Sequence, residues 1–245
     1  MDTEAFRKAV ERAKARESGG IGTLAEKTLH SALKYYYEPD ETKHEAELCG
    51  FFADILNADG VTEIQTGSFF HIDRKLGVFL GEYPVTLVCP LIRNKRIIYL
   101  DPETGEMTKP RSSPKKGRIE SLFFELMHIR KRLSDKNLMI VVPVIDADEY
   151  RVKREPKRRF RDKGYDKFEL VPTALADERV FAESADWLML LPDGLDGFTV
   201  KELEKALGIP NRVAGAMARS IMSAGALRRE KRDASYVYYR IGGGK

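Results

Sequence analysis

The chain has 245 residues, 42% hydrophobic and 33% charged, with a formal net charge of +4 at pH 7. That length suits one mid-sized domain plus a small one, with ample core for a water-soluble α/β protein. No apolar run approaches the roughly 18 residues that cross a bilayer, and the two cysteines, Cys49 and Cys89, lack zinc-ligand spacing.

Residues 3–17 are charged throughout and read as a peripheral amphipathic helix rather than a signal peptide, which suggests a cytoplasmic protein. The helix ends at Ser18-Gly19-Gly20. A second helix is expected over 23–37, closed by Pro39, with Ala25, Leu29, Leu33 and Tyr36 as its apolar stripe. Glu26 points with that stripe and has two readings. Thr23-Leu24-Ala25-Glu26 is a capping-box pattern in which Glu26 bonds the Thr23 N–H; alternatively Glu26 is an acid reaching over the strands that follow.

Residues 44–49 read as a first strand, with Cys49 and later Cys89 as buried thiols. Residues 51–66 read as a hairpin around the turn Asn57-Ala58-Asp59-Gly60. Asp54, Glu63 and Gln65 stand where apolar residues are usual. With an even loop, Asp54 lies opposite Glu63 or Gln65, and all three project from one face. Opposed side chains start about 5 Å apart at Cβ, close enough for two carboxylates to share a divalent cation. Without that cation the acids repel and one holds its proton. Arginines on neighbouring elements, or solvent, are the structural alternative.

Ser68 is expected to cap a helix over 69–82 that carries Arg74 and Lys75. The apolar run 84–92 reads as a buried strand, followed by a strand at 96–100 and the turn Asp101-Pro102-Glu103-Thr104-Gly105. Residues 109–118 are basic, contain two prolines and read as a surface loop. A helix over 119–133 and a buried strand over 138–145 complete the core. The order of elements predicts an α/β fold, a mixed sheet sandwiched by helices.

Residues 151–167 hold nine basic residues against three acidic ones. Arg158, Arg159 and Arg161, with Phe160 and Tyr165 among them, are candidate DNA contacts, against the commoner role of a solvated loop. The chain then turns acidic to Asp196, with a connecting helix expected over 181–191. From 197 onward the pattern is compact. Thr199-Val200-Lys201-Glu202 is a capping box, Gly208-Ile209-Pro210 a tight turn, and Asn211 the cap of a second helix to about 224. Gly225 ends it, and strands at 226–231 and 236–241 follow. The expected domains are therefore a helix at 1–18, a core at 19–175, a linker helix at 176–196 and a terminal domain at 197–245.

Two resemblances follow from these residues. The helix with Glu26, the hairpin strand with Asp54, Glu63-Ile64-Gln65 and the next helix resemble the PD-(D/E)XK nuclease superfamily, closest to its Holliday-junction-resolvase-like branch. This implies a restriction-endonuclease-like core over residues 20–145 that binds Mg²⁺ (or Mn²⁺) through Asp54, Glu63 and the Ile64 carbonyl, with Glu26 helping to hold metal or water. Gln65 stands where the family has lysine, a role that Lys75, or else Arg74, on the following helix would take over. The terminal helix, turn, helix and hairpin are similar to a winged helix-turn-helix domain. That resemblance implies DNA contacts by Asn211, Arg212 and Arg219 on the second helix and by Arg228, Arg229, Lys231 and Arg232 on the wing. Together they imply a metal-dependent DNA endonuclease, with homodimer formation as in many such nucleases. The alternatives are a non-catalytic DNA-binding regulator with a degenerate nuclease-like domain and a protein-docking adaptor.

Overall fold

The computed structural model of the protein describes residues 1–17, 28–156 and 164–241. In chain order its elements are α1 (Thr3–Glu17), α2 (Thr28–Tyr37), β1 (His44–Leu48), β2 (Phe51–Asn57), β3 (Gly60–Ile64), α3 (Ile72–Phe79), β4 (Val85–Val88) and β5 (Leu91–Leu100). There follow β6 (Arg111–Ser112), α4 (Phe123–Leu126), β7 (Leu138–Lys153), β8 (Tyr165–Phe181), α5 (Ser184–Leu188), α6 (Val200–Leu207), α7 (Asn211–Ser223), β9 (Leu227–Arg232) and β10 (Ser235–Arg240). The class is α/β, with mixed strands flanked by helices.

The chain forms two compact units, each assembled from three segments. One comprises Met1–His44, Pro90–Gly117 and Pro143–Glu178; the other comprises Glu45–Cys89, Arg118–Val142 and Arg179–Lys245. Two of the boundaries fall immediately before a proline, Pro90 and Pro143, where the backbone has no N–H to give a ladder.

In the first unit α1 packs on α2 through Phe6, Ala9, Val10 and Ala13, the i, i+3, i+4, i+7 face of an amphipathic helix. Its outer face carries local ion pairs from Arg7 to Glu4 and Glu11. β5 runs parallel to the later part of β7, from Leu91 opposite Val144 to Leu100 opposite Val152, with a register shift between Ile92 and Asn94. Charged partners cross this pair of strands: Arg93 with Asp146, Arg96 with Asp148, and Lys95 with Glu149.

In the second unit β2 and β3 are antiparallel, β3 and β4 parallel, and β4 pairs in parallel with residues 138–141 of β7. α3 connects β3 to β4 and buries Ile72, Leu76 and Phe79. α6, α7, β9 and β10 belong to this same unit. α7 packs against α4, α5 and the 3-10 turns that flank α4.

Several expectations need correcting. Pro90 interrupts the 84–92 run, so that β4 ends at Val88 and β5 begins at Leu91. Residues 119–133 form no continuous α-helix; Ile119–Leu122 and Met127–Arg132 are 3-10 turns around the four-residue α4. β7 extends to Lys153, β8 runs on to Phe181 into the start of the span expected as linker helix, and α5 has only five residues. Cys89 is buried, but Cys49 is exposed in the β1–β2 turn at φ +53°. Pro210 is the N-cap of α7, with Asn211 its first helical residue. The Thr199–Glu202 capping box and the left-handed Gly208 and Gly225 are as expected.

Candidate functional site

The hairpin of β2 and β3 closes on Asn57 opposite Gly60, with Ala58 and Asp59 as the two-residue loop. Asn57 Oδ1 accepts the Asp59 N–H at 3.0 Å, the local bond that makes asparagine a turn former. Gly60 has φ +113°, and a Cβ built there would stand 2.3 Å from the Pro84 carbonyl oxygen. The register runs Ile55 opposite Thr62 and Leu56 opposite Val61. Continued by one step, it sets Asp54 across from Glu63, on the face that parity requires.

The two carboxylates are woven into the end of the ladder. Asp54 Oδ2 accepts the Ile64 N–H at 2.7 Å, a bond that a strand carbonyl would otherwise make. Glu63 Oε1 accepts the Asp54 N–H at 3.3 Å. Glu63 is only 3% exposed, and its pKa is pushed up to about 7, first by burial and then by the Asp54 charge. Lys75 opposes both effects, with its Nζ 2.5 Å from Glu63 Oε2. Ile72, Leu76 and Phe79 fix α3 in the core, and Lys75, between the first two in sequence, is directed at Glu63. The Lys75 ammonium also lies 5.7 Å from the centre of the Phe79 ring.

Glu149 in the first unit shows what a satisfied buried carboxylate looks like. Burial pushes its pKa up, but Lys95 and Arg151 bind it together and hold it below the ordinary value. Glu63 has a carboxylate neighbour and ends above the ordinary value. A divalent cation between Asp54 and Glu63 would remove that repulsion, and two carboxylates with a main-chain carbonyl are hard oxygen donors suited to Mg²⁺ or Mn²⁺. Among the described residues no group of three or more His, Cys, Asp or Glu is arranged to hold a metal. Glu26, the third acid expected, lies outside the described residues.

Gln65 does not join the pair: its Nε2 donates to the Ser68 carbonyl at 2.7 Å and braces the turn into α3. Arg74 is exposed, with its guanidinium 5.9 Å from the centre of the Phe51 ring. Of the two cations considered on α3, the structure brings Lys75 to the acids.

The expected DNA contacts divide. Arg158, Arg159 and Arg161 fall outside the described residues. On α7, Val213 to Ala218 and also Ser220 and Ile221 are buried, so most of the helix lies in the core of the unit. Asn211 is exposed and donates to Glu204 Oε2 at 2.6 Å, Arg212 is exposed, and Arg219 is half-buried. Arg228, Arg229, Lys231 and Arg232 all stand exposed on β9. Arg229 lies 4.1 Å from the Tyr236 ring centre, Arg232 lies 5.4 Å from that of Tyr239, and Arg228 pairs with Glu230.

Comparisons with known proteins add the following. Residues 27–182, more than half of the chain, match the family model described as a domain of unknown function, DUF8091. A protein of Treponema pallidum (strain Nichols), described as an uncharacterized protein, is 30% identical over 143 residues, which is 58% of this chain and 57% of that relative. The chain thus spans little over half the length of the relative it matches. No solved structure matches it. No helix among the described residues is long and apolar enough to cross a membrane.

Proposed function

The chain belongs to the DUF8091 family, and within it we propose that this protein is a metal-dependent DNA endonuclease that hydrolyses phosphodiester bonds. The reading gives it a restriction-endonuclease-like core and a C-terminal winged-helix element that contacts DNA. One observation carries it: Glu63 is buried across from Asp54, with its pKa raised, and a lysine from the next helix is directed at it. The order β2, β3, α3, β4 around that pair is the order the nuclease resemblance requires.

In this reading Asp54, Glu63 and the Ile64 carbonyl hold Mg²⁺ or Mn²⁺. The ion supplies electrophilic activation of a phosphate oxygen and of the attacking water. Lys75 favours the ionised form of Glu63 and limits the rise caused by burial and Asp54, so that the carboxylate ionises near neutral pH. The same ammonium places a positive charge beside the position of the scissile phosphate, the part that Gln65 cannot play. Asp54 has a second task, because its Oδ2 holds the Ile64 N–H and so anchors the end of β3 beside the pair. The exposed cations of β9 are suited to backbone phosphates rather than base edges.

The proposal is tested by Mn²⁺ titration of the metal-free protein, followed by calorimetry, beside Asp54→Asn. It expects one divalent site in the wild type that the substitution weakens by at least about tenfold. Equal Mn²⁺ affinity in the two proteins contradicts it. The binding of Gln65 to the Ser68 carbonyl favours the second reading, a DNA-binding regulator with a degenerate site. That reading expects salt-sensitive DNA binding with no metal site at Asp54.

A further inference from the structure

The turn between β3 and α3 directs one phenylalanine inward and the next outward. Phe69 is 1% exposed, and its N–H donates to Glu125 Oε2 at 2.9 Å. Phe70 is 66% exposed. Its position is set by the backbone, through the Gln65 bond to the Ser68 carbonyl and the Phe70 N–H to Ser68 Oγ at 3.3 Å. A phenylalanine this exposed contributes little burial to folding.

Phe70 is not isolated. Its ring is edge-on to His71 at 4.8 Å and to His128 at 5.6 Å between centroids. Four residues before His128, Phe124 is 36% exposed, and the Arg212 guanidinium lies 5.2 Å from its ring centre. Phe70, His71 and His128 form one cluster and Phe124 with Arg212 a second, and the segment that carries both Phe124 and His128 links the two into an interrupted stripe in the second unit. Exposed Arg130 and Lys131 continue the positive charge beyond His128. The two acids on this segment are engaged elsewhere, Glu120 with Arg118 and Glu125 with the Phe69 N–H.

We infer that this stripe holds an unpaired stretch of the DNA, with bases stacked on Phe70 and Phe124 and phosphates near Arg212, Arg130 and Lys131. In an intact duplex the base faces are covered by their neighbours, whereas an unpaired base has a free π-face. Rows of exposed aromatics among cations match that chemistry. Phe70 stands two residues before α3, the helix that brings Lys75 to Glu63. The inference rests on the nuclease reading and narrows it, making the substrate class DNA with a single-stranded segment.

The test is fluorescence anisotropy in chelator, where no cleavage occurs, with labelled oligothymidylate and a blunt duplex of equal length. Phe70→Ala is expected to weaken single-strand binding by about tenfold or more, with Phe70→Trp restoring it and duplex affinity almost unchanged. Melting and sedimentation of each variant should match the wild type, since Phe70 is exposed. No single-strand binding by the wild type, an unchanged affinity in Phe70→Ala, or an equal loss on duplex overturns the inference. So does a dimer that Phe70→Ala splits, which would make the stripe a contact between copies. Phe70-dependent single-strand binding without cleavage by any divalent ion would overturn the nuclease reading alone. Metal-dependent cleavage of blunt duplex without that binding would overturn this inference alone.

Discussion

Lys75 on α3 holds its Nζ 2.5 Å from Oε2 of Glu63 on β3, and it opposes the combined effect of burial and of Asp54 on that carboxylate. The resemblance to PD-(D/E)XK nucleases expects a lysine two residues after the glutamate. Here that position is Gln65, and the lysine comes from the following helix. In the proposed nuclease reading, Lys75 supplies from α3 the charge that the resemblance expects at position 65.

The first prediction concerns pH. The folded pKa of Glu63 is raised to about 7 from an ordinary 4.5. Between those values the folded state holds a proton that the unfolded state has lost, so stability falls as pH rises through this window. In chelator, Glu63→Gln should therefore melt above the wild type at pH 8, by a difference on the order of 2 kcal/mol. At pH 4.5 and below the difference should close. Adding Mg²⁺ at pH 8 should stabilise the wild type and leave Glu63→Gln unmoved. A melting gap of the same size at both pH values contradicts this origin.

The second concerns Lys75. Replacing it with Met leaves Glu63 beside Asp54 without its cation, so the Glu63 pKa rises further and the acid limb of the pH–rate profile moves to higher pH. The catalytic rate should fall by about 100-fold or more, with DNA affinity little changed. Gln65→Ala should have a much smaller effect on rate, because that side chain bonds the Ser68 carbonyl in the turn and not the acids. Equal losses in the two variants would show that Lys75 has no special part.

The hairpin itself provides a third. Gly60→Ala places a Cβ against the Pro84 carbonyl at φ +113°, where neither the backbone nor its neighbour can yield. A loss of at least about 2 kcal/mol in urea unfolding is expected. Ala58→Gly, in the exposed part of the same turn, should cost well under half of that.

A fourth concerns β9. Arg228, Arg229 and Arg232 are all exposed and stand over tyrosine rings, but Arg228 is also paired with Glu230. Neutralising Arg229 and Arg232 should lower the slope of log affinity against log salt by about 0.9 for each phosphate that is no longer neutralised. Arg228→Gln should change it less. A slope unaffected by all three would remove β9 from the DNA interface.

Much of the hairpin was legible in the sequence, because turn chemistry and strand parity are local. Asn57 and Gly60 fix the loop, and once the loop is even, Asp54 and Glu63 must share a face. The resemblance names Lys75 first and Arg74 second on the following helix, and the packing of Ile72, Leu76 and Phe79 is what turns Lys75 to Glu63. β8 escaped because a strand with only three fully buried residues among seventeen gives no period-two apolar signal. The α7 residues Ala214, Ala216 and Ala218 read as a helix short of long DNA-reading side chains. The structure shows a different consequence: the small residues lie in the core, where α7 packs closely on its neighbours. Helical spacing over 69–82 sets Phe69 inward, as the structure does, but nothing in the sequence marks the exposed Phe70 as a contact.

The most direct measurement is cleavage of labelled duplex, single-stranded and branched DNA with Mg²⁺ or Mn²⁺, wild type beside Asp54→Asn. The account predicts metal-dependent cleavage by the wild type, greatest on DNA with an unpaired segment, and loss of at least about 100-fold in the variant with its fold intact. Binding without cleavage across the whole panel, or equal cleavage by both proteins, would contradict it.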